Sequence, residues 1–298
     1  MKNIGKLWMM PKGDTFPELT SRLADWPKAL EAIDALGYAD HVLFRNNDEE
    51  ALKKGFAQLA RVGLPIAMEV GAVKEWGPSG KATFDAQKPM WDKFISLGAN
   101  IKGIVMDEPL VAVLSNPHFD YLGGKEEKFE YAVTETADFI RRVREAYPDW
   151  VIADIEVYPF FDADFVIKWI DALEAKLKSI GVQGQDFFRM DVDWVAFKCE
   201  PSGWEQVKRI EDHCKKIGLR FSQIYWASDV PGSQEKQADP TSWYTGIMRM
   251  GEAYEAVGGN PDQYVVQTWI GLPHVTLPES EDYSFTRSVV DFNKRFVK

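Results

Sequence analysis

The sequence repeats one short joint, an aliphatic residue followed by glycine, at the end of six segments that space their apolar residues at three and four. Glycine just past a helix supplies the left-handed backbone conformation that ends the helix. The joints are Leu36-Gly37, Val62-Gly63, Leu97-Gly98, Ile180-Gly181, Ile217-Gly218 and Val257-Gly258. A short apolar run follows each joint, so the pattern predicts repeated returns from a helix into a strand.

Eight such apolar runs of strand length alternate with intervals that can each hold one amphipathic helix. The runs lie near 6–10, 41–45, 65–70, 101–107, 151–157, 187–193, 221–226 and 264–270. A doubly wound dinucleotide-binding sheet would need a Gly-x-Gly-x-x-Gly turn after the first strand, and none is present. The alternation therefore predicts an α/β fold of the (β/α)₈ TIM-barrel type, with residues 1–298 forming one catalytic domain.

Charge and composition argue against several classes of partner and cofactor. The 298-residue chain has a net charge of −11 and no cluster of Lys and Arg, which argues against nucleic acid or an anionic membrane as a partner. The N-terminus has no apolar signal segment and no run is long enough to span a bilayer, so we expect a soluble cytoplasmic protein. With two cysteines, four histidines and no zinc-ligand spacing, we expect neither a metal ion nor an organic cofactor.

The fourth apolar run ends in two adjacent carboxylates and a proline, Asp107-Glu108-Pro109. Proline cannot donate to a sheet and disfavours helix in the preceding residue, so both carboxylates should lie at the carboxyl end of the strand. Parallel barrels place their chemistry at this end. The segments that follow strands, at 109–126, 227–241 and 271–282, are also the long ones.

Alternation within the other strands separates side chains that face the helices from those that face the barrel lumen. In the fifth strand we expect Asp154, Glu156 and Tyr158 to face inward, and in the sixth Arg189, Asp191 and Asp193. The catalytic candidates at the upper end of the lumen are Asp107, Glu108, Glu156, Asp191 and Asp193. The candidates for substrate binding are Trp8, Arg45, Glu69, Tyr225, Gln267 and Trp269.

Several carboxylates at one barrel mouth commonly serve acid/base work on a glycosidic bond or hold a divalent cation. Tryptophans at strand ends favour a site for glycosidic-bond cleavage over a cation site, because indole rings pack against the C–H faces of sugars. The sequence at Asp107-Glu108-Pro109 resembles the (β/α)₈ glycoside hydrolases, many of which place a general-acid Glu, preceded by Asn or Asp, at the end of the fourth strand. Trp269 matches the tryptophan usual there at the end of the eighth strand.

This resemblance implies a hydrolase that cleaves an O-glycosidic bond of a carbohydrate substrate, with Glu108 as the general acid. The commonest clan has a nucleophilic Glu at the end of the seventh strand, but here 221–226 contains no carboxylate. Two variants stay open. A second carboxylate could come from Glu156, Asp191 or Asp193, or the Asp107-Glu108 pair could act as in hexosaminidases, where the substrate's N-acetyl group is the nucleophile and Asp orients it.

Two alternatives come from other classes of function. A metal-dependent isomerase or lyase would use Glu69, Glu108 and Glu156, which lie on three successive predicted strands. A catalytically inactive carbohydrate-binding barrel would keep the tryptophans and lack turnover.

Overall fold

The computed structural model describes residues 2–197, 202–227 and 239–298. In them, eight parallel strands close into a barrel in sequence order, which confirms the (β/α)₈ TIM-barrel prediction. Cys199 and most of the long segment 227–241 lie outside the described residues. The strands are β1 (Leu7–Met10), β2 (Ala35–Ala39), β3 (Ile66–Val70), β4 (Ile101–Asp107), β5 (Val151–Tyr158), β6 (Phe187–Val192), β7 (Arg220–Tyr225) and β8 (Gln263–Gln267).

Helices surround this barrel and bury their apolar faces against it. They are α1 (Phe16–Ser21), α2 (Pro27–Ala32), α3 (Asp40–Asn46), α4 (Glu49–Val62), α5 (Gly80–Ser96), α6 (Pro109–Ser115), α7 (Lys125–Ala146), α8 (Ala163–Ser179), α9 (Trp194–Phe197), α10 (Gly203–Ile217), α11 (Pro240–Ala256) and α12 (Phe285–Phe296). Within the described residues, none of these helices combines the length and apolarity that a bilayer crossing requires.

The aliphatic-glycine joints behave as predicted at five of their six positions. The glycines at 63, 98, 181, 218 and 258 all have positive φ angles, between 70° and 97°, at or just past the end of a helix. The sixth joint, Leu36-Gly37, lies inside β2 instead. Gly37 is needed there for close packing, because a Cβ at this position would lie 2.4 Å from Met10 Cγ.

The position of the second strand was therefore predicted wrongly. The segment 41–45 belongs to α3, and the strand precedes it at Ala35–Ala39. Arg45, expected inside the barrel, is exposed in the last turn of α3 and does not face the lumen. A short amphipathic helix offers the same apolar residues as a half-buried strand, which explains the error.

The register of the sheet determines which side chains face the lumen, because paired residues on neighbouring parallel strands point to the same side. Asp107 pairs with Ile155, which pairs with Arg189, so these three side chains face inward. Asp154 and Glu156 therefore point outward toward the helices, contrary to the prediction for the fifth strand. Asp154 accepts a hydrogen bond from the indole of Trp169 on α8, at 2.6 Å.

The seventh strand is reversed in the same way. Ser222 pairs with the inward Arg189, so Tyr225 points outward and packs on Phe292 of α12, with ring centroids 4.6 Å apart. Tyr225 is 1 % exposed and cannot reach a substrate in the lumen. Its prediction as a binding residue is wrong.

A guanidinium and an indole form the floor of the lumen. Arg189 donates from Nε to Ser222 at 3.1 Å and from Nη2 to Gln263 at 2.7 Å, and its Cζ lies 4.6 Å from the centroid of the Trp8 ring. Trp8 is fully buried and donates from Nε1 to the Ile4 carbonyl at 2.8 Å. Trp8 therefore supports the core, and its prediction as a substrate-binding residue is wrong.

Replacing Trp8 with alanine should lower the free energy of unfolding by about 3–5 kcal/mol, because the change leaves a large cavity and uncovers the buried guanidinium. Urea denaturation of the purified variant measures this loss. Trp76→Ala, which removes a half-exposed ring, is the matched control and should cost less than about 1 kcal/mol. Similar losses for the two variants would contradict a core role for Trp8.

Candidate active site

Four carboxyl groups meet at the carboxyl ends of the strands and influence one another electrostatically. Glu69 lies on β3, Asp107 ends β4, Glu108 follows it directly, and Asp191 lies on β6. The negative charge of Asp107 raises the pKa of both glutamates, and Glu108 in turn raises the pKa of Asp191. Of the predicted catalytic residues, the fold thus brings Asp107, Glu108 and Asp191 together.

Glu108 occupies a backbone conformation that is unusual for a residue with a side chain. Its φ and ψ angles are 45° and 56°, in the left-handed region, immediately before Pro109 begins α6. Its N–H donates to the carbonyl of Ile155 on β5 at 3.1 Å. Backbone strain of this kind costs on the order of 1–3 kcal/mol and is concentrated at functional sites.

Burial is the main reason why the pKa of Glu108 rises to about 7. The charge of Asp107 adds to the increase, the ammonium of Lys74 opposes it, and Asp193 contributes a smaller increase. A large fraction of Glu108 is therefore protonated at neutral pH.

Lys74 is a member of the site that the sequence did not reveal. Its Nζ lies 2.8 Å from Asp107 Oδ2, and its side chain is only 16 % exposed. Burial alone would lower the pKa of Lys74, but the charge and hydrogen bond of Asp107 outweigh burial and raise it. Lys74 is thus held as an ammonium. The sequence does show a lysine four residues after Val70, the last residue of the third strand. Its position in the sequence does not predict that it pairs with Asp107.

Glu69 and Gln267 form a second polar pair across the lumen. Gln267 Nε2 donates to Glu69 Oε2 at 2.8 Å. Burial, followed by the charge of Asp107, raises the pKa of Glu69 to about 7, although the bond from Gln267 acts in the opposite direction. Gln267 is 6 % exposed, and its Oε1 has no hydrogen-bond partner among the described residues.

Asp191 connects the acidic cluster to a pair of tryptophans. The Trp226 indole donates to Asp191 Oδ1 at 2.8 Å, and the Trp226 and Trp269 ring centroids lie 4.4 Å apart. Burial, and then Glu108, raises the pKa of Asp191 well above its ordinary value. Trp269 is 49 % exposed and presents an indole surface to solvent at the mouth.

The remaining two catalytic candidates have contacts that favour structural roles. Glu156 is fully buried on the helix side of β5 and accepts the N–H groups of Leu110, at 2.7 Å, and Val111, at 3.4 Å. It anchors the start of α6 and does not point into the lumen, so the prediction of its orientation was wrong. Asp193 precedes α9, where its Oδ1 accepts the N–H of Ala196 at 3.2 Å.

Two cavities at the mouth have walls in common. One, of about 250 Å³, is lined by Met10, Tyr38, Gln267 and Trp269 among others. The other, of about 430 Å³, is lined by Lys74, Trp76, Met90 and Asp107 among others. Ala39 and Glu69 line both. Of the predicted substrate-binding residues, Glu69, Gln267 and Trp269 therefore meet at one cavity.

No three side chains of His, Cys, Asp or Glu within residues 2–197, 202–227 and 239–298 form a group that could hold a metal ion. The set Glu69, Glu108 and Glu156, on which the metal-dependent alternative depends, is not assembled, because Glu156 faces away from the other two.

No protein-family model and no curated protein sequence matches this chain. Solved structures resemble it at low identity. SMc04130 from Sinorhizobium meliloti 1021 aligns with a TM-score of 0.52 and 15 % identity, over 98 % of each chain. The mannotriose complex of Thermomonospora fusca beta-mannanase aligns with a TM-score of 0.51 and 13 % identity, over 89 % of this chain and 78 % of that one.

A malate synthase from Haloferax volcanii, in a lead(II) complex, is equally similar, with a TM-score of 0.52 and 12 % identity over 97 % of this chain and 72 % of that one. A mannanase and a malate synthase thus resemble the chain to the same degree. At these identities the likeness shows the barrel fold alone.

The raised pKa of Glu69 predicts a specific pH dependence of stability. Unfolded Glu69 releases its proton near its ordinary pKa of 4.5, whereas the folded protein holds it until about pH 7. The stabilising contribution of the proton is present below about pH 4.5 and is lost as pH rises to about 7. The free energy of unfolding of the wild type, relative to Glu69→Gln, should therefore decrease across this window.

Urea denaturation at a series of pH values measures that difference. Glu130→Gln, an exposed change on α7, is the control and should follow the wild type at every pH. A constant difference between wild type and Glu69→Gln would show that Glu69 titrates normally in the folded protein.

Proposed function

We propose that this barrel hydrolyses an O-glycosidic bond and that Glu108 is the general acid. The observation that carries the proposal is the state of Glu108, a carboxyl group at the end of β4 with its pKa raised to about 7. General-acid catalysis requires a group that is protonated near the working pH and can give up its proton in the transition state. Burial and the neighbouring Asp107 supply that property.

Asp107 is the second carboxyl group in this proposal. It forms an ion pair with Lys74, whereas burial raises the pKa of its neighbour Glu108 to about 7. Two adjacent carboxyl groups with such different surroundings suit the two roles that glycoside cleavage needs. The Asp107 carboxyl group, paired with Lys74, either stabilises the positive charge that develops on the sugar or orients an acetamide group of the substrate. Asp191 is less suited to act as a base, since burial raises its pKa well above the ordinary value and so disfavours its charged form.

The tryptophan pair supports a sugar as the substrate. Trp269 is half-exposed and rests on Trp226, which Asp191 fixes by a hydrogen bond, so the indole surface is held in place beside the carboxyl groups. An apolar face next to hydrogen-bonding groups matches a pyranose ring, which has C–H groups on its faces and hydroxyl groups at its edge.

Lyase chemistry through a lysine Schiff base is the main rival on this fold. It would require a neutral amine at the mouth, where, among the described residues, Lys12 lines one cavity and Lys74 the other. The Asp107 carboxylate raises the pKa of Lys74 and keeps it as the ammonium, which is not nucleophilic. This argues against Lys74 as a Schiff-base lysine.

Glu108→Gln should reduce hydrolysis of substrates with poor leaving groups by about 10²–10⁴, because the amide keeps the shape of the side chain and cannot donate the proton. An activated aryl glycoside, whose departing oxygen scarcely needs a proton, should show a smaller loss. Initial rates on aryl glycosides of graded leaving-group pKa, with and without an N-acetyl group and with and without EDTA, measure both effects. Glu130→Gln is the matched control.

Equal losses on both kinds of leaving group, or none, would exclude Glu108 as the acid. Activity that disappears with EDTA would instead favour the metal-dependent alternative. Sugar binding without turnover on any member of the panel would favour an inactive binding barrel.

Trp269→Ala should weaken binding of the hydrolysed sugar by about three- to tenfold, the effect expected for one lost aromatic face. The free energy of unfolding should change by less than about 1 kcal/mol, since half of the ring is already exposed. Calorimetric titration and urea denaturation provide the two values. Unchanged affinity, or a variant that fails to fold, would assign Trp269 to the core.

A further inference from the structure

We propose that the substrate is an oligosaccharide, and that two neighbouring sugar units occupy the two cavities on either side of Glu69. The cavity lined by Trp269 is called the first subsite here, and the cavity lined by Trp76 the second subsite. The proposal rests on the proposed glycosidase function and extends it from one sugar to a chain.

The two subsites have a wall in common. Ala39 on β2 and Glu69 on β3 line both of them, and these two residues are register partners on neighbouring strands. The subsites are therefore neighbours at one mouth, one on each side of these two side chains. In the proposal, a ligand that fills the first subsite continues past Glu69 into the second.

Trp76 is held in position in the second subsite. The hairpin that carries it is closed by two backbone hydrogen bonds between Lys74 and Gly77, at 3.1 and 3.0 Å. Gln87 bonds both the N–H and the carbonyl of Gly71, at 3.1 and 2.7 Å. A methyl group on Gly71 would lie 2.7 Å from Trp76 Cζ2, so the indole packs directly over this residue. The ring is 53 % exposed although its loop is well fixed.

The charges around the second subsite already have partners within the protein. Lys74 pairs with Asp107, and Asp40 accepts hydrogen bonds from the Trp91 indole, at 2.8 Å, and from the backbone of His41. The remaining lining includes the apolar side chains of Val70, Ala86 and Met90. Such a surface favours a neutral ligand with an apolar face and hydroxyl groups over an ionic one.

The first subsite contains an unused acceptor. Gln267 is almost completely buried, and within the described part of the chain no group donates to its Oε1. A buried acceptor without a partner is unfavourable, and a hydroxyl group of a bound sugar that reached it would remove this cost. An acceptor in one subsite and an indole in each are the contacts expected for consecutive sugar units.

The second subsite lies next to the proposed chemistry. Asp107 forms part of its lining, and Glu108 is the next residue along the chain. A chain that passes Glu69 into this cavity therefore brings one of its linkages close to the carboxyl pair.

The test is a titration series with β-1,4-linked mannose, glucose and N-acetylglucosamine oligomers of one to four units. Glu108→Gln is used so that the ligands stay intact, and binding is measured by calorimetry. For the series that binds, affinity should rise at least about threefold from one unit to two or three, as expected for one added aromatic contact. Adding Trp76→Ala should abolish this gain and leave the monosaccharide affinity unchanged within about twofold.

Two further variants serve as controls for the effect of Trp76→Ala. Trp76→Phe keeps a smaller aromatic face and should retain part of the gain. Tyr121→Ala removes an aromatic ring that is 68 % exposed and lines neither cavity, so it should change nothing.

Affinity that is independent of chain length, or an equal loss for short and long ligands in Trp76→Ala, would overturn the two-subsite proposal even if aryl glycosides are hydrolysed. Chain-length-dependent binding without hydrolysis by the wild type would leave it standing and remove the hydrolase proposal. Absence of binding in all three series would overturn the two-subsite proposal, and the aryl-glycoside rates would then decide the hydrolase proposal alone.

Discussion

Closure of the barrel ties the orientation of every strand to that of its neighbours, because paired residues on parallel strands point to the same side. Once Arg189 occupies the lumen, its partners Ile155 and Ser222 must face inward as well. The same rule turns Asp154 and Glu156 toward the helices. The content of the mouth is therefore decided by the whole ring of strands and not by the polarity of any one of them.

This constraint explains how far the sequence could be interpreted. The helix-ending joints and the alternation of apolar runs with helical intervals were sufficient to predict the barrel. Alternation within the strands also correctly predicted that Glu69, Asp107, Asp191 and Gln267 face the lumen. Alternation divides a strand into two faces but does not say which face meets the helices. In β5 the polar face is the outer one, because the Trp169 indole and the N–H of Leu110 satisfy its carboxyl groups. In β2, Gly37 is required by packing against Met10. Because it follows an aliphatic residue, it has the same sequence pattern as the glycines that end helices, and the strand was predicted too late in the chain.

The electrostatics of the mouth follow from this arrangement. The Arg189 guanidinium lies at the floor of the lumen and is bonded to neutral partners, Ser222 and Gln263. Of the four carboxyl groups in the cluster above it, Asp107 is the one for which the described residues show a salt bridge, to Lys74. Burial and mutual repulsion raise the pKa values of Glu69, Glu108 and Asp191, and this disfavours their charged forms. Spacing in the sequence could not predict the salt bridge, since Lys74 and Asp107 come from different strand ends.

Glu108 belongs to the chain segment that ends β4, yet the contacts that fix it come from β5. The Ile155 carbonyl accepts the Glu108 N–H, and Glu156 holds the next turn through Leu110 and Val111. The proposed proton donor thus takes its position from a backbone carbonyl and an outward-facing side chain of a neighbouring strand. A substitution on the outer face of β5 can therefore displace Glu108 without touching anything that is bound at the mouth.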